Sequence, residues 1–460
     1  MKKDTKKSIT RREFISQASA AAAAVSAFTI VPRHVLGGPK YTAPSDKLNI
    51  ACIGIGGKGG SDIYSVRSEN IVALCDVDYK RGARTFKRYP KAKQYKDFRI
   101  MLEKEDKNID AVMVSTPDHT HAVAAMMAIK MDKHVYCQKP LAHDMYEVRA
   151  LTEEARKRGV VTQMGIQIHA TNEMKFGVEM IKSGIIGKVR RVDVWSSKRA
   201  RKKNSAAIDK VPQGRPQGSM PVPDTLDWDL WLGPAPYRPY NRQYAPGSWR
   251  RWWDFGVGGL GDMGCHIMDP AFWALDLKSP ITVEAHPGPF NKEVYPSRTT
   301  VQWEFPARGE QPPVTMTWYG GSDRPFIPSG LLPQEKMPNQ GGLYYGDKGI
   351  LLFPHRTLKT PAHIRPTLLP TAKMKDCPAP KQLFERNTDH YMEWVKACKG
   401  GPKTSADFDY SGPLTETVLL GNLAARTGQR IFWDTKKFEI TNIPEANKYL
   451  KREYRKGWKL

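Results

Sequence analysis

Two separated blocks of the sequence contain side chains that can carry protons to and from a small molecule. Lys139 lies just after an apolar, strand-like run, and Asp262, His266 and Asp269 lie in the glycine-rich block 258–269. If that block opens a helix, its three residues share one face at i, i+4 and i+7. Oxidation of an alcohol needs a base for the hydroxyl proton, and a histidine or a partly buried lysine can serve near neutral pH. We therefore predict Lys139, Asp262 and His266 as the catalytic set.

Other interpretations of these residues stay open. Asp262 can be a helix N-cap, and His266 can be a hydrogen-bonded histidine of the core. Lys139 taken alone can be an ordinary surface lysine. An acid and a histidine one turn apart can also bind a metal ion, but no further ligand cluster accompanies them, so we predict no metal site.

A glycine-rich turn follows the first apolar strand and leads into a helical stretch. Gly54, Gly56 and Gly59 have the spacing G-x-G-x-x-G, with Gly57 between them. Side chains here would block the tight turn, the approach of a pyrophosphate or the packing of helix on strand. The helix N-terminus adds N–H donors and the positive end of a dipole. The turn predicts a dinucleotide site, the alternative being a glycine-rich structural turn.

An acidic residue supports the dinucleotide interpretation. Asp76 ends the next predicted strand, 20 positions after Gly56. There a carboxylate can accept both ribose hydroxyls of NAD and repel the 2′-phosphate of NADP. NAD is therefore the predicted cofactor and is favoured over NADP, although Lys80 and Arg81 follow closely and soften that preference.

Polar residues also follow the next predicted strand of the same sheet. Thr116, Pro117, His119 and His121 lie there, in the block 115–121. Open parallel sheets bind their ligands at the carboxyl ends of the strands. We therefore predict that these four residues, together with Lys139, contact the cofactor.

The elements that position these residues form an α/β pattern in two parts. From Leu48, apolar strands alternate with helical stretches, which indicates a doubly wound parallel sheet in a Rossmann domain. We predict its strands at 48–53, 71–74, 111–115, 134–137 and 160–164, and helices at 120–131 and 145–158. This cofactor-binding domain is expected at 45–165.

The second part has the pattern of an open, largely antiparallel sheet. We predict strands at 189–195, 281–285, 299–305, 314–319 and 350–353, and helices at 174–183, 388–399 and 414–426. The last helix has Pro413 at its predicted start and Gly428 just past its end. An α/β substrate-binding domain is expected at 166–435 and a tail at 436–460.

Residues 1–40 are predicted to be a signal peptide and linker. Arg11 and Arg12 precede Glu13, Phe14 and Ile15, and an uncharged, alanine-rich stretch follows. This pattern is typical of twin-arginine signals, so we expect export to the periplasm or beyond, after folding in the cytoplasm. The sequence contains no run of about 20 apolar residues, and no transmembrane anchor is predicted.

The charge of the chain limits the classes of partner. The formal net charge is +25 at pH 7, and the densest basic run is Lys198–Lys203. A basic surface attracts polyanions in general. No nucleic-acid-binding motif accompanies the run, so nucleic acid is not a predicted partner. The six cysteines have no paired spacing, and we expect reduced thiols.

These motifs together resemble the glucose-fructose oxidoreductase / inositol dehydrogenase (Gfo/Idh/MocA) family over nearly all of the chain after its signal. The resemblance rests on the glycine turn, Asp76, Thr116-Pro117 with its two histidines, Lys139-Pro140 and the Asp262/His266 pair. It implies a Rossmann domain and an α/β domain whose open sheet mediates assembly into a homo-oligomer. It also implies that Lys139, Asp262 and His266 surround a sugar or cyclitol ring.

One departure from the family pattern lies next to Lys139. The family usually has Glu-Lys-Pro, whereas this chain has Gln138, so an expected charge is missing. The stretch 163–169 resembles an exported subgroup and makes His169 a substrate-site candidate. Trp252 and Trp253, in a tryptophan-rich stretch, are further candidates because indole faces stack on sugar rings.

Export bears on the reaction because free nicotinamide cofactor is not expected outside the cytoplasm. We therefore expect a small carbohydrate as substrate and a tightly bound NAD that is regenerated in place. Either a second carbonyl compound accepts the hydride, or oxidation, elimination and re-reduction give net hydrolysis, as in the NAD-dependent glycosidases of the family. The alternative of another class is a non-catalytic sugar- or envelope-binding protein on a Rossmann scaffold.

Overall fold

The computed structural model describes residues 46–197, 214–331, 337–355 and 365–460. The predicted signal peptide and linker and the basic run at 198–203 lie outside these residues. Contacts group 48–460 as one compact unit, and the predicted domain boundaries stay predictions. Within the described residues, no helix is both long and apolar enough to cross a bilayer.

The first sheet has six parallel strands in the order β3-β2-β1-β4-β5-β6. Its strands are β1 (Asn49–Ile53), β2 (Asn70–Cys75), β3 (Lys93–Tyr95), β4 (Ala111–Val114), β5 (His134–Gln138) and β6 (Thr162–Gly165). The helices between them are α1 (Lys58–Ser65), α2 (Tyr79–Arg88), α3 (Phe98–Glu105), α4 (His121–Lys130) and α5 (Met145–Arg158). Aspartates cap several of these helices, because an N-cap carboxylate satisfies free N–H groups of the first turn.

Both faces of this sheet are covered, which explains why its central strands β1, β2 and β4 are mostly apolar. One face packs on α3, α4 and α5. The other packs on α1, α2 and a late helix, α10 (His390–Cys398), whose Trp394 is fully buried there. The sheet is therefore doubly wound, as predicted, and part of its cover comes from late in the chain.

The second sheet has nine strands in the order β13-β12-β11-β7-β10-β9-β8-β14-β15. Its strands are β7 (Val189–Ser196), β8 (Thr282–Pro287), β9 (Thr299–Phe305), β10 (Val314–Gly320), β11 (Gln340–Gly346), β12 (Ile350–Pro354), β13 (Thr367–Leu369), β14 (Ile431–Asp434) and β15 (Glu439–Ile440). Among the described pairs only β7 and β10 run parallel. The predicted fold class, a Rossmann domain followed by a largely antiparallel open sheet, is confirmed.

Helices cover one face of the second sheet. They are α6 (Asn172–Lys182), α8 (Gly258–Ile267), α9 (Asp269–Leu275) and α11 (Phe408–Thr427). The predicted start of α11 was wrong: Asp407 caps the helix by accepting from the amide of Tyr410, and Pro413 lies inside it. Gly428 ends the helix in the left-handed conformation, as predicted.

The tryptophan-rich stretch between β7 and α8 forms a strap, defined as residues 223–257. It contains the short helix α7 (Trp228–Leu232) and has an aromatic core of its own. The strap pairs with the loop after β2: the amide of Tyr79 donates to Thr225 O and the amide of Asp227 to Val77 O, at 3.0 and 2.8 Å. It therefore lies across the loops at the carboxyl edge of the parallel sheet.

Candidate active site

A cleft of 850 Å³ lies at the carboxyl ends of the parallel strands. Loops after β1, β2, β4 and β5 form one side of it, and the strap and α8 form the other. This is the edge at which open α/β sheets bind their ligands. The volume lies within the range of about 300–1,000 Å³ that is usual for small-molecule and cofactor sites.

The glycine turn after β1 needs glycine for close backbone approach. Gly54 has φ +78°, and a Cβ there would lie 2.8 Å from the backbone of Ser115 and Thr116. A Cβ on Gly59 would lie 1.8 Å from the carbonyl oxygen of Gly54. Gly57 begins α1 without a side-chain cap, so the helix N-terminus is not closed by a side chain. Such a helix N-terminus is suited to an anionic group.

Asp76 lines the same cleft and also holds the glycine turn in place. Its Oδ2 accepts hydrogen bonds from the amides of Ile55 and Gly56, both at 3.0 Å, and its Oδ1 accepts from the amide of Asp78 at 2.9 Å. Burial raises the pKa of Asp76, and these three bonds oppose that rise. Two carboxylate oxygens offer about four acceptor sites, so three amides leave capacity for a ribose hydroxyl.

Lys139 and Asp262 meet in the cleft although they are far apart in the sequence. Lys139 follows β5, and its Nζ lies 2.8 Å from Asp262 Oδ1 and also donates to the carbonyl oxygen of Asp262. Their side chains are 11% and 15% exposed. The pair is partly shielded from water, which strengthens the ion pair and holds the lysine in place in the cleft lining.

His266 lies one turn after Asp262 on α8 and lines the same cleft. Its ring centroid is 5.8 Å from that of His355, at the end of β12. The three predicted catalytic residues therefore share one cleft with the glycine turn. Asp269 does not continue this face, because α8 ends at Ile267 and Asp269 opens α9.

His169 belongs to a separate buried cluster. Its Nδ1 lies 2.9 Å from Asp269 Oδ2, its ring stacks on Trp273 at 4.0 Å, and Tyr410 donates to Asp269. His169 is 1% exposed and is not among the residues that line the 850 Å³ cleft. Gln167, two residues earlier, lines the cleft.

The residues predicted after β4 divide between the cleft and the core. Thr116, Pro117 and His121 line the cleft. His119 does not: it is fully buried, and its ring nitrogens face the backbone carbonyl oxygens of Trp231 and Phe255. Both carbonyls belong to the strap, at 2.8 and 3.1 Å. The histidine predicted to contact the cofactor thus contacts the strap.

The two predicted substrate tryptophans are buried in packing contacts away from the cleft lining. Trp252 is fully buried and donates from Nε1 to the carbonyl oxygen of Gln243, and Trp253 packs on Tyr295 with ring centroids 3.5 Å apart. Neither lines the cleft. Two other tryptophans of the same strap, Trp231 and Trp249, line it.

Sequence reasoning missed three charged residues of the site. Arg250 Nε lies 3.2 Å from Asp262 Oδ1. Asp118 is 1% exposed and accepts from the amide of Val257 at 3.2 Å, and burial raises its pKa. Asp62 is a fully buried carboxylate of α1 that bonds to several cleft residues. The hydrogen bonds of Asp62 to Ser115 and Gln138 and of Asp118 to Val257 span 53 to 139 residues, and Arg250 meets Asp262 from a different element, so no spacing within one element indicates them. Within the described residues, no group of three or more potential ligands is arranged to hold a metal ion.

The chain matches two profiles of one family. The profile of an oxidoreductase family's NAD-binding Rossmann fold matches residues 48–166, and that of the family's C-terminal alpha/beta domain matches residues 179–305. Together they cover more than half of the 460 residues.

Individual relatives align over part of their length. The myo-inositol 2-dehydrogenase of Thermotoga maritima is 29% identical over 144 residues, which are 31% of this chain and 42% of that protein. The levoglucosan dehydrogenase of Pseudarthrobacter phenanthrenivorans is 25% identical over 116 residues, which are 25% of this chain and 29% of that protein. The chain therefore spans less than half the length of these relatives.

Solved structures match over most of the chain. An aldose-aldose oxidoreductase from Caulobacter crescentus superposes with a TM-score of 0.54 at 16% identity, covering 84% of this chain and 100% of that one. An inositol dehydrogenase homolog from Azotobacter vinelandii, complexed with NADH and myo-inositol, gives 0.53 at 16% identity, with 84% and 98% covered. At such identities the likeness is one of fold.

Proposed function

Because this chain belongs to the Gfo/Idh/MocA oxidoreductase family, we propose that it is an NAD-dependent oxidoreductase acting on a hydroxyl group of a sugar or glycoside. One observation carries the proposal: the Lys139/Asp262 ion pair and His266 line the same 850 Å³ cleft as Gly54, Gly56 and Asp76. A proton-transfer set and a dinucleotide cradle thus face one volume.

The residues of the chain supply proton transfer and orientation. His266 accepts the proton of the substrate hydroxyl, and Lys139 donates a hydrogen bond to the same oxygen and stabilises the charge that develops on it. Asp262 holds the lysine through its ion pair. Bound NAD supplies the hydride acceptor. Asp76, the glycine turn and the uncapped start of α1 hold its ribose and pyrophosphate.

The cofactor is proposed to stay bound between turnovers. The strap pairs with the loop after β2, where the adenosine half of a dinucleotide binds in this fold, and its residues Leu226, Leu230 and Trp231 line the cleft. A dinucleotide enclosed in this way leaves only when the strap opens. Opening breaks the backbone pairing and exposes the strap's aromatic core, so release is expected to be slow.

Export by the twin-arginine route is part of the proposal. It is supported by Arg11 and Arg12 ahead of an apolar stretch. That route carries folded proteins, so a cofactor bound in the cytoplasm travels with the chain. A retained cofactor that is re-oxidised or re-reduced by the substrates themselves needs no external supply.

A carbohydrate substrate is supported by the cleft and by the names of relatives. Trp231 and Trp249 line the cleft, and indole rings are of the kind that stacks on sugar rings. The relatives include proteins named for myo-inositol and levoglucosan, both of which are polyhydroxylated rings.

We also propose that copies of the chain associate through the outer face of the nine-stranded sheet. That face has an apolar cluster of its own, separate from the main core: Trp195, Leu343, Leu352 and Leu369. The loop after β10 exposes Phe326 by 80% and Ile327 by 56% and leads to Leu331, which packs on the cluster. Light scattering of the Phe326→Ser, Ile327→Ser variant, compared with the unaltered chain, tests this: a dimer or larger assembly should dissociate.

The function is tested on full-length protein purified without added cofactor. Mass spectrometry of the released small molecules should identify NAD. A panel of sugars and glycosides should then change the absorbance of reduced nicotinamide or release a free sugar. Lys139→Ala and His266→Ala should retain the cofactor and lose at least 100-fold in kcat. If no dinucleotide is found, or if the chain binds sugars but turns none of them over, the function would instead be that of a sugar-binding protein.

A further inference from the structure

Two cations share one carboxylate oxygen in the lining of the cleft. Asp262 Oδ1 lies 2.8 Å from Lys139 Nζ and 3.2 Å from Arg250 Nε. Lys139 comes from the end of β5, Asp262 from α8 and Arg250 from the strap. The pair predicted to carry out the chemistry is therefore a triad, and its third member belongs to the segment that encloses the cleft.

Several contacts fix the guanidinium of Arg250. It stacks on the ring of Trp249 at 4.2 Å from the ring centroid, and its Nη2 lies 3.9 Å from Asp118 Oδ1. Asp118 Oδ2 in turn accepts from the amide of Val257, at the end of the strap. The buried carboxylate of Asp118 thus contacts both the strap backbone and Arg250. The position of Arg250 therefore depends on how the strap packs on the loop after β4.

The residues that hold the strap in place belong to the Rossmann domain. His119 directs both ring nitrogens at strap carbonyls, and Asp118 is its neighbour in the sequence. The side chain of Arg250 is 32% exposed, so it reaches the cleft and is not part of the strap's core. The strap that carries Arg250 is accordingly held by two residues of the loop after β4.

We propose that Arg250 is a positioning residue for the reaction, which holds the Asp262 carboxylate and, through it, tunes the proton affinity of Lys139. The proposal rests on the proposed function for the reaction, but its geometry does not depend on any substrate. A guanidinium keeps its charge at every relevant pH, so it stabilises the carboxylate and disfavours a further cation beside it.

The other charged or titratable groups that face this triad come from three elements. They are Asp118 after β4, His121 at the start of α4, and Cys265 and His266 on α8. Asp118 opposes Arg250 in sign, and burial raises its pKa. Replacing Arg250 by a neutral residue removes one positive charge from this set and leaves both carboxylates, so Lys139 should hold its proton to a higher pH.

The test measures the pH at which Lys139 becomes reactive. Full-length protein is acetylated with trace acetic anhydride over a series of pH values, and the labelled peptides are quantified by mass spectrometry. In Arg250→Gln the labelling midpoint of Lys139 should rise by about one pH unit, the size expected when a charge is removed at such a distance. Arg250→Lys, which keeps the charge, should label almost as the unaltered chain does.

Arg251 offers a matched control. It also belongs to the strap, but its guanidinium stacks on Trp252 and donates to Gln243 Oε1, and it does not line the cleft. Arg251→Gln removes the same charge one residue away and should leave the Lys139 midpoint unchanged. Equal shifts in the two glutamine variants, or no shift in Arg250→Gln, would overturn the proposal.

Kinetics on a substrate found in the panel provide a second measure. Arg250→Gln should lower kcat at least tenfold with KM within threefold, because Asp262 and the lysine that it orients are then held less well, and Arg250→Lys should recover part of the loss. Arg250→Met, of similar length, replaces Arg250→Gln if that variant is unstable. Labelling needs neither substrate nor turnover. A panel without activity would therefore count against the proposed function, while the labelling midpoints would still decide the role of Arg250.

Discussion

Gln138 donates its side-chain amide to the buried carboxylate of Asp62 across 2.9 Å. The same carboxylate accepts from Ser115 and Tyr391 and pairs with Lys58. A carboxylate only accepts hydrogen bonds, so a neutral amide fits at position 138 and a glutamate there would face a like charge. The negative charge that the family pattern leads one to expect at position 138 is therefore supplied by Asp62, from α1.

This relationship predicts the effect of restoring the family's glutamate. Gln138→Glu would bring two carboxylates within hydrogen-bond distance in a buried place. We expect the free energy of unfolding at pH 8 to fall by about 1–3 kcal/mol, and the loss to shrink at pH 5, where one of the two can hold a proton. Denaturant unfolding at the two pH values measures both effects.

A reciprocal exchange is the control. In the double variant Asp62→Asn, Gln138→Glu the same hydrogen bond forms with donor and acceptor reversed, so most of the lost stability should return. Asp62→Asn alone should be destabilised, because it leaves Lys58 without its buried anion. If the double variant is no more stable than Gln138→Glu, the two residues do not act as a pair.

His119 offers a second prediction, about cofactor retention. Its ring contacts two strap carbonyls, so His119→Ala removes an anchor of the strap without touching the cleft lining. Losing a buried hydrogen-bonding group costs about 1–3 kcal/mol. We expect bound NAD to dissociate at least tenfold faster, as measured by the fraction retained during dialysis against cofactor-free buffer.

The control for this variant is another buried histidine. His390 lies on α10, and its Nε2 faces the carbonyl oxygen of Met164, away from the strap. His390→Ala should lower thermal stability to a similar degree and leave the rate of NAD loss unchanged. Similar acceleration in both variants would mean that loosening of the fold in general, and not the strap, governs release.

Much of the fold follows from local patterns in the sequence. Apolar runs separated by capped helices predicted five of the six parallel strands, and β3, at Lys93–Tyr95, was missed because it is short and polar. In the second sheet β11, β13, β14 and β15 were missed: the last three have two to four residues each, and β11 contains glycines, which are rare in strands. The structure explains Gly341: a Cβ there would lie 2.7 Å from the carbonyl oxygen of Phe353 on the neighbouring strand.

The candidate site was predictable where spacing within one element carries the information. The glycine turn and the Asp262/His266 pair on α8 are of this kind. His119 and Trp252 are residue types that often contact ligands, but tertiary packing gives them backbone carbonyls as partners, 112 residues away for His119 and 9 residues away for Trp252. The same limit applies to Arg250, whose contact with Asp262 exists only because the strap folds back over the cleft.

Cofactor preference can be tested at the end of β2. Asp76→Asn removes the negative charge that repels a 2′-phosphate and keeps an acceptor for the amides of Ile55 and Gly56. Lys80, Arg81 and Lys96 line the same cleft. We expect the ratio of the Kd for NADP to the Kd for NAD to fall at least tenfold, as measured by calorimetry on cofactor-stripped protein.

Asp78→Asn is the matched control for this change. Asp78 also lines the cleft, and its carboxylate caps α2 by accepting from the amides of Lys80 and Arg81. Asparagine is an equally good cap, so helix stability should persist. The NADP/NAD ratio should change much less than in Asp76→Asn. Equal changes would assign the preference to overall charge and not to the ribose contact.

Export can be tested at the paired arginines. Replacing Arg11 and Arg12 by lysines keeps the charge but should abolish passage by the twin-arginine route. We expect the chain to accumulate in the cytoplasm, measured by fractionation of a bacterial host that has this translocase. As a control, Lys6→Arg with Lys7→Arg should be exported normally. Export of the unaltered chain from a host that lacks the translocase would contradict the prediction.

The buried histidines predict how stability depends on pH. Burial lowers the pKa of His390 to about 3, whereas an imidazole in the unfolded chain titrates near 6.5. Between these values the unfolded state takes up a proton that the folded state does not, so the free energy of unfolding falls as the pH is lowered. Each such group contributes a slope of about 1.4 kcal/mol per pH unit at pH values well below 6.5.

Replacing one histidine separates its contribution to the pH dependence of stability from that of the carboxyl groups that titrate in the same pH range. His390→Gln removes one titrating group, so the variant should lose less stability than the unaltered chain between pH 6 and pH 4. The difference between the two slopes should correspond to about one proton. Burial also lowers the pKa of His119 to about 3, so His119→Gln should behave in the same way. In the double variant, the slope of the free energy of unfolding against pH should fall by the equivalent of two protons. Parallel stability curves for the variants and the unaltered chain would mean that these imidazoles are protonated in the folded state, as the two carbonyl oxygens around His119 would favour.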